Sequence, residues 1–192
     1  MHIEWFVLTT NLRKGEYMKL CLKEIMKRIA LLEQQKDEVS SNERIRNSTT
    51  YATGEEKIPV DYSFSDTRKM IAELDEAIRF LKHKLHYANA TVEVAEFGMT
   101  LGECIIYMAQ LNNEKYNIER MSGREQKTRR TVVGGVVEWT ELNYDLTECA
   151  EALKKITETI MQLQLAIDRI NLTYEIDNLL EEAEKKNITI LK

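Results

Sequence analysis

Apolar residues recur at alternating spacings of three and four along four stretches of the chain, each sustained for at least three turns. That rhythm predicts four long helices, each with one narrow apolar seam. The longest seam runs Leu146, Cys149, Leu153, Ile156, Ile160, Leu163, Ile167 and Ile170. A second comprises Ile71, Leu74, Ile78, Leu81, Leu85 and Ala88. Leu22, Ile25, Ile29, Leu32 and Val39 make a third, and Leu101, Cys104, Met108, Leu111 and Ile118 a fourth, with Lys36 and Lys115 each holding one seam position.

Cap and turn residues set the boundaries. The helices are predicted at about residues 19–41, 66–90, 100–122 and 145–186. Ser65 with Asp66, Thr100 with Glu103, and Asp145 with Glu148 supply N-terminal caps, and Ser122-Gly123 supplies a stop. Residues 46–64 read as a loop holding Gly54 and Pro59, with a short extended patch at residues 58–62, and residues 91–97 read as extended before Gly98. Around Gly134-Gly135, β-branched runs predict a hairpin over about residues 131–140. The expected fold is all-α: an antiparallel four-helix bundle with a small β-hairpin between the third and fourth helices, in one domain over residues 18–192.

Residues 1–17 break with this pattern. Trp5, Phe6 and Val7 sit in an apolar run too short to span a bilayer and without a preceding cationic region, so neither a signal peptide nor an anchor is read there. Arg13-Lys14-Gly15-Glu16 would be encoded by a purine-rich stretch just ahead of Met18. Two readings stay open: translation begins at Met18 and the extension belongs to an over-long gene prediction, or the extension is an arm that packs on the bundle.

Composition supports long helices. Of 192 residues, 31% are charged and 43% hydrophobic, with one proline and seven glycines. The net charge of −5 argues against a general nucleic-acid binder but leaves room for a local basic patch. Three cysteines without close spacing fit a reducing compartment, and Cys104 and Cys149 lie on seams as small apolar residues. A cytoplasmic location is expected.

Four elements also carry a family resemblance. Asn89-Ala90-Thr91 closes the second helix, Gly98-Met99-Thr100-Leu101 opens the third, a valine-rich piece at residues 132–138 follows a basic linker, and residues 163–171 read Leu-x-x-Ala-Ile-Asp-x-x-Asn. In this order they resemble the septicolysin-like family of bacterial helical proteins, over about residues 19–176. The chain departs from that family in having Leu172 where a tryptophan usually follows the final asparagine. The resemblance implies a helical fold of unknown activity, and the family's name suggests pore formation.

The candidate interaction surface is the cluster Arg120, Arg124, Lys127, Arg129 and Arg130 beside Trp139, five cations that could meet phosphates or an acidic partner around an aromatic anchor. His83 and His86 share a helix face, but no third ligand accompanies them, and no Glu-x-x-His spacing points to a di-iron site. No catalytic residue, cofactor site or metal site is assigned, and an enzyme is not expected. The expected role is a non-enzymatic, self-associating or scaffolding protein that forms a homo-oligomer or holds a protein partner. A second apolar stripe of Met26, Ala30 and Met70 or Ile105 would supply the contact. The alternatives are a septicolysin-like lytic protein and a nucleic-acid-associated module using residues 120–130.

Overall fold

The structure, a computed structural model, describes residues 19–131 and 134–190. Trp5, Phe6, Val7 and Met18, with the two readings of the extension, lie outside the described residues, as do Val132 and Val133. In chain order the elements are β1 (Leu20–Cys21), α1 (Leu22–Arg46), α2 (Phe64–Thr91), β2 (Glu93–Val94), β3 (Met99–Thr100), α3 (Leu101–Ser122), β4 (Lys127–Thr131), β5 (Val137–Glu141), α4 (Leu146–Thr173), β6 (Glu175–Ile176) and α5 (Leu179–Lys185). The fold is mostly α, as the seam pattern predicts, and the strands form three two-stranded antiparallel ribbons among the described residues. The described chain gathers into two compact units, residues 19–87 with 171–190 and residues 88–170.

In the first unit α1 and α2 run antiparallel. Glu33 pairs with Lys82 at 2.6 Å, Lys36 with Asp75 at 2.6 Å, and Glu43 with Arg68, so positions rise along one helix as they fall along the other. These pairs are partly or largely exposed, and such pairs contribute between about 0 and 1 kcal/mol each. Burying a Leu or Ile seam side chain contributes about 1.5–3 kcal/mol. Leu22, Ile25, Ile29 and Leu32 of α1 are buried, as are Ile78 and Leu81 of α2, so the seam holds the pair and the charges set its register. Lys36 interrupts the seam without being stranded, because Asp75 answers its charge.

The C-terminal part of this unit departs from expectation. A fourth helix running to residue 186 is corrected here: α4 stops at Thr173, and the chain then crosses to pair β6 with β1, Leu20 opposite Ile176 and Cys21 opposite Glu175. The Leu22 amide donates to the Tyr174 carbonyl at 3.2 Å. Asn178 takes a left-handed φ of 57°, a conformation asparagine tolerates better than most residues, and α5 begins after it. Leu179 and Ala183 keep the i, i+4 spacing, so the apolar rhythm continues across a break that periodicity alone cannot see. α5 covers a second face of α2: Ala77 and Phe80 are buried off the predicted seam, Lys84 reaches Glu182 at 2.5 Å, and Lys186 lies 5.5 Å from the Phe80 ring centre.

Two smaller corrections concern residues 46–64. No strand forms at residues 58–62, where Ile58 is 74% exposed. The cap of α2 is Ser63 rather than Ser65: its hydroxyl accepts from the Asp66 amide at 3.3 Å.

The second unit is built on α3 and the facing part of α4. Leu101, Cys104 and Leu111 of α3 are buried, as are Cys149, Leu163, Ala166 and Ile167 of α4. Glu96 before α3 pairs with Arg169 late in α4, while the Tyr144 hydroxyl before α4 donates to the Met121 carbonyl late in α3 at 3.1 Å. The two helices are therefore antiparallel. Thr100 and Glu103 form the predicted capping box, the Thr100 amide donating to the Glu103 carboxylate at 2.7 Å and the Glu103 amide to the Thr100 hydroxyl at 3.3 Å. Accepting the Thr100 amide and hydroxyl holds the Glu103 carboxyl below the ordinary glutamate range. β2 and β3 form a tight ribbon around Gly98 at φ 60°, and the Leu101 amide donates to the Val92 carbonyl at 2.8 Å.

This turn brings the end of α2 against the start of α3. A Cβ at Gly102 would lie 2.9 Å from the Asn89 carbonyl oxygen. Gly102→Ala therefore has opposing effects, about 1 kcal/mol gained in helix propensity and about 1–3 kcal/mol lost as the backbone of α2 is forced aside. Net destabilisation is expected, read as a lower urea midpoint with unchanged slope; an alanine variant more stable than the parent would refute the close approach.

Candidate functional site

α3 ends at Gly123, whose amide donates to the Glu119 carbonyl at 3.1 Å, and the chain turns there into the hairpin. The root of the hairpin is tied down by polar contacts. The Gln126 side-chain amide donates to the Leu142 carbonyl at 3.2 Å and the Tyr144 carbonyl at 3.3 Å, and the Leu142 amide donates to the Gln126 carbonyl at 3.0 Å. Beyond that root both faces are open: β5 is exposed at every position, as are Lys127, Thr128, Arg129 and Arg130. The ribbon begins four residues earlier than the predicted 131–140 because β4 is a polar strand, Lys-Thr-Arg-Arg-Thr, with no apolar alternation to announce it.

Strand alternation sorts the basic cluster. Cross-strand pairs are Lys127 with Glu141, Thr128 with Thr140, Arg129 with Trp139, and Arg130 with Glu138. Successive side chains point to opposite faces. One face therefore carries Lys127, Arg129, Trp139 and Glu141; the other carries Arg130 with Glu138. Trp139 is 58% exposed, with the Lys127 ammonium 5.5 Å from its ring centre and 3.1 Å from the Glu141 carboxylate. Arg120 stays on α3, 5.8 Å from the Tyr116 ring centre, and Arg124 lies in the turn, its amide donating to the Met121 carbonyl at 3.3 Å. The geometry unites Lys127, Arg129 and Trp139, places Arg130 on the opposite face, and adds the two β5 carboxylates that a list of cations omits.

Other candidates fall out differently. His83 and His86 are exposed on α2, and among the described residues no group of three His, Cys, Asp or Glu side chains is placed to hold a metal ion. A groove of about 530 Å³ in the first unit was not legible in the sequence. Its lining includes Leu32, Val39 and Leu74 together with Arg28, Asn187 and Thr189. It depends on the C-terminal segment returning to α1, where the Ile190 carbonyl accepts from Arg28, and no local signal encodes that return. No helix among the described residues is long and apolar enough to cross a membrane.

Comparison with known proteins bears on the fold. The chain is similar to a solved structure of a functionally unknown conserved protein from Corynebacterium diphtheriae, with a TM-score of 0.61 and 16% identity over 83% of this chain and 100% of that one. No family model matches the chain, and no curated protein matches it. At that identity the likeness shows a shared fold alone.

Cys104 and Cys149 are buried on their seams, and burial, the first cause, with the carboxylates of Glu103 and Glu96 after it, pushes the Cys104 thiol above its ordinary value. The thiolate is the reactive form. At pH 8 in the folded protein, a maleimide should modify the half-buried Cys21 well before Cys104 or Cys149; simultaneous modification of all three, followed by peptide mass spectrometry, would contradict the seam placement.

Proposed function

We propose that this chain is a non-enzymatic helical protein that self-associates and so builds a scaffold. The observation that carries the reading is an apolar step on the outer face of α4. Met161 and Leu165 are each 58% exposed, one helical turn apart and off the seam that faces α3. On α3, Ile105 and Ile106 are also exposed, at 40% and 61%. Of the stripe expected from the sequence, Ile105 and Met70 are exposed, while Met26 is half-buried beside the α1 seam. Large apolar side chains grouped on a surface favour a contact that covers them.

The basic hairpin supports a nucleic-acid reading less well. Three cations of β4 lie beside two carboxylates of β5, and the ribbon divides them between two faces, so phosphates would meet a mixed surface rather than a basic track. The resemblance to septicolysin-like proteins belongs to this proposal only as a helical relationship resting on its sequence motifs. Five-residue strands fall short of the roughly 9–11 residues that span a bilayer as β-structure.

Light scattering behind size exclusion tests the reading. The full chain is expected to elute at a multiple of the 22.4 kDa protomer mass. Met161→Glu with Leu165→Glu should lower that mass while leaving the helical circular dichroism unchanged. A protomer mass for the parent protein at tens of micromolar would refute self-association.

A further inference from the structure

The hairpin presents a specific mode of assembly, and this inference rests on the self-association reading while going beyond its helix contacts. The bond from the Leu142 amide to the Gln126 carbonyl makes residues 126 and 142 a hydrogen-bonded pair. Antiparallel ladders alternate hydrogen-bonded and open pairs. Counting along the ribbon, Thr128 with Thr140 and Arg130 with Glu138 direct their backbone groups inward, whereas Lys127, Arg129, Trp139 and Glu141 direct theirs to the outer edges. Both edges are bare among the described residues. An isolated two-stranded ribbon is at best marginally stable in water, and this one has neither face covered.

Charge selects which edges can meet. β4 carries Lys127, Arg129 and Arg130, so two β4 edges would set cation against cation; β5 carries Glu138 and Glu141, so two β5 edges would set carboxylate against carboxylate. Charged edge strands guard against unplanned pairing, and here the guard leaves one combination open. When hairpins stand side by side with their tips at the same end, β5 of one copy lies antiparallel to β4 of the next, the same strand order and charge pairing as within each hairpin.

We propose that the β5 edge of one copy pairs with the β4 edge of a second copy, so that the hairpins join head to tail. Each copy donates one edge and accepts one, the heterologous contact that generates rings when the rotation closes. Trp139, Val137 and Val136, exposed at 58%, 42% and 64%, lie on the ribbon that this pairing extends.

The test separates backbone pairing from charge. The Arg129 amide points outward, so Arg129→Pro leaves the ladder within the hairpin intact but removes an edge donor, whereas Arg129→Ala removes the guanidinium and keeps the amide. Light scattering on full chains should show the parent and R129A at the same oligomer mass and R129P at a lower one. Equal loss of mass in R129A and R129P would assign the effect to charge and overturn edge pairing. An R129P assembly identical to the parent, with the Met161→Glu and Leu165→Glu variant still dissociating, would overturn edge pairing and leave helix-mediated association standing. A parent protein at protomer mass would overturn both.

Discussion

Each long helix in this protein buries one narrow apolar stripe, and the rest of the structure follows from that. The seams of α1 and α2, and of α3 and α4, run antiparallel within their pairs, with Leu22, Ile25, Leu81, Leu101 and Leu163 fully buried along them. A stripe with a period of three and four covers less than half of a helix surface. Everything outside it must be charged, covered by another part of the chain, or left for a partner. All three outcomes are present. The Glu33–Lys82 ion pair lies outside the seams of α1 and α2, α5 covers Phe80 on a second face of α2, and Met161, Leu165 and Ile106 remain open.

The hairpin shows the same constraint from the opposite side. Its strands are exposed, polar contacts from Gln126 and Tyr144 tie down its root, and among the described residues its strands pair only with each other. Its sequence separates cations onto one strand and carboxylates onto the other while alternation mixes them on each face. This arrangement favours a complementary edge over a phosphate track, and it joins the ribbon to the exposed helix surface in one account of assembly.

The helices were legible in the sequence because seam burial is local: the seam positions of all four are buried or half-buried, Lys36 and Lys115 included. Thr100 with Glu103, and Asp145 accepting the Thr147 amide at 2.7 Å, fixed two helix starts through side chains only two or three residues away. What was missed is non-local or polar. The end of α4 depends on pairing residues 20 and 21 with 175 and 176, at the far end of the chain, and the groove beside Leu32 depends on the same C-terminal return. The start of β4 was hidden because a strand exposed on both faces has no reason to alternate. In the candidate site, Lys127, Arg129 and Trp139 were identified by composition, but the division of Arg130 onto the other face required the register. Asn89, near the end of α2, approaches Gly102 closely, and Leu163, Ala166 and Ile167 are buried on α4.

The central claim is that another copy of this chain covers the outer face of α4 and the hairpin. Hydroxyl-radical footprinting of the parent protein across a concentration series reads this side chain by side chain. Oxidation of Met161 and Trp139 should fall as the protein is concentrated from nanomolar to tens of micromolar, while Tyr51, 54% exposed in the loop between α1 and α2, keeps a constant rate. Constant rates at Met161 and Trp139 over the whole series would contradict the account.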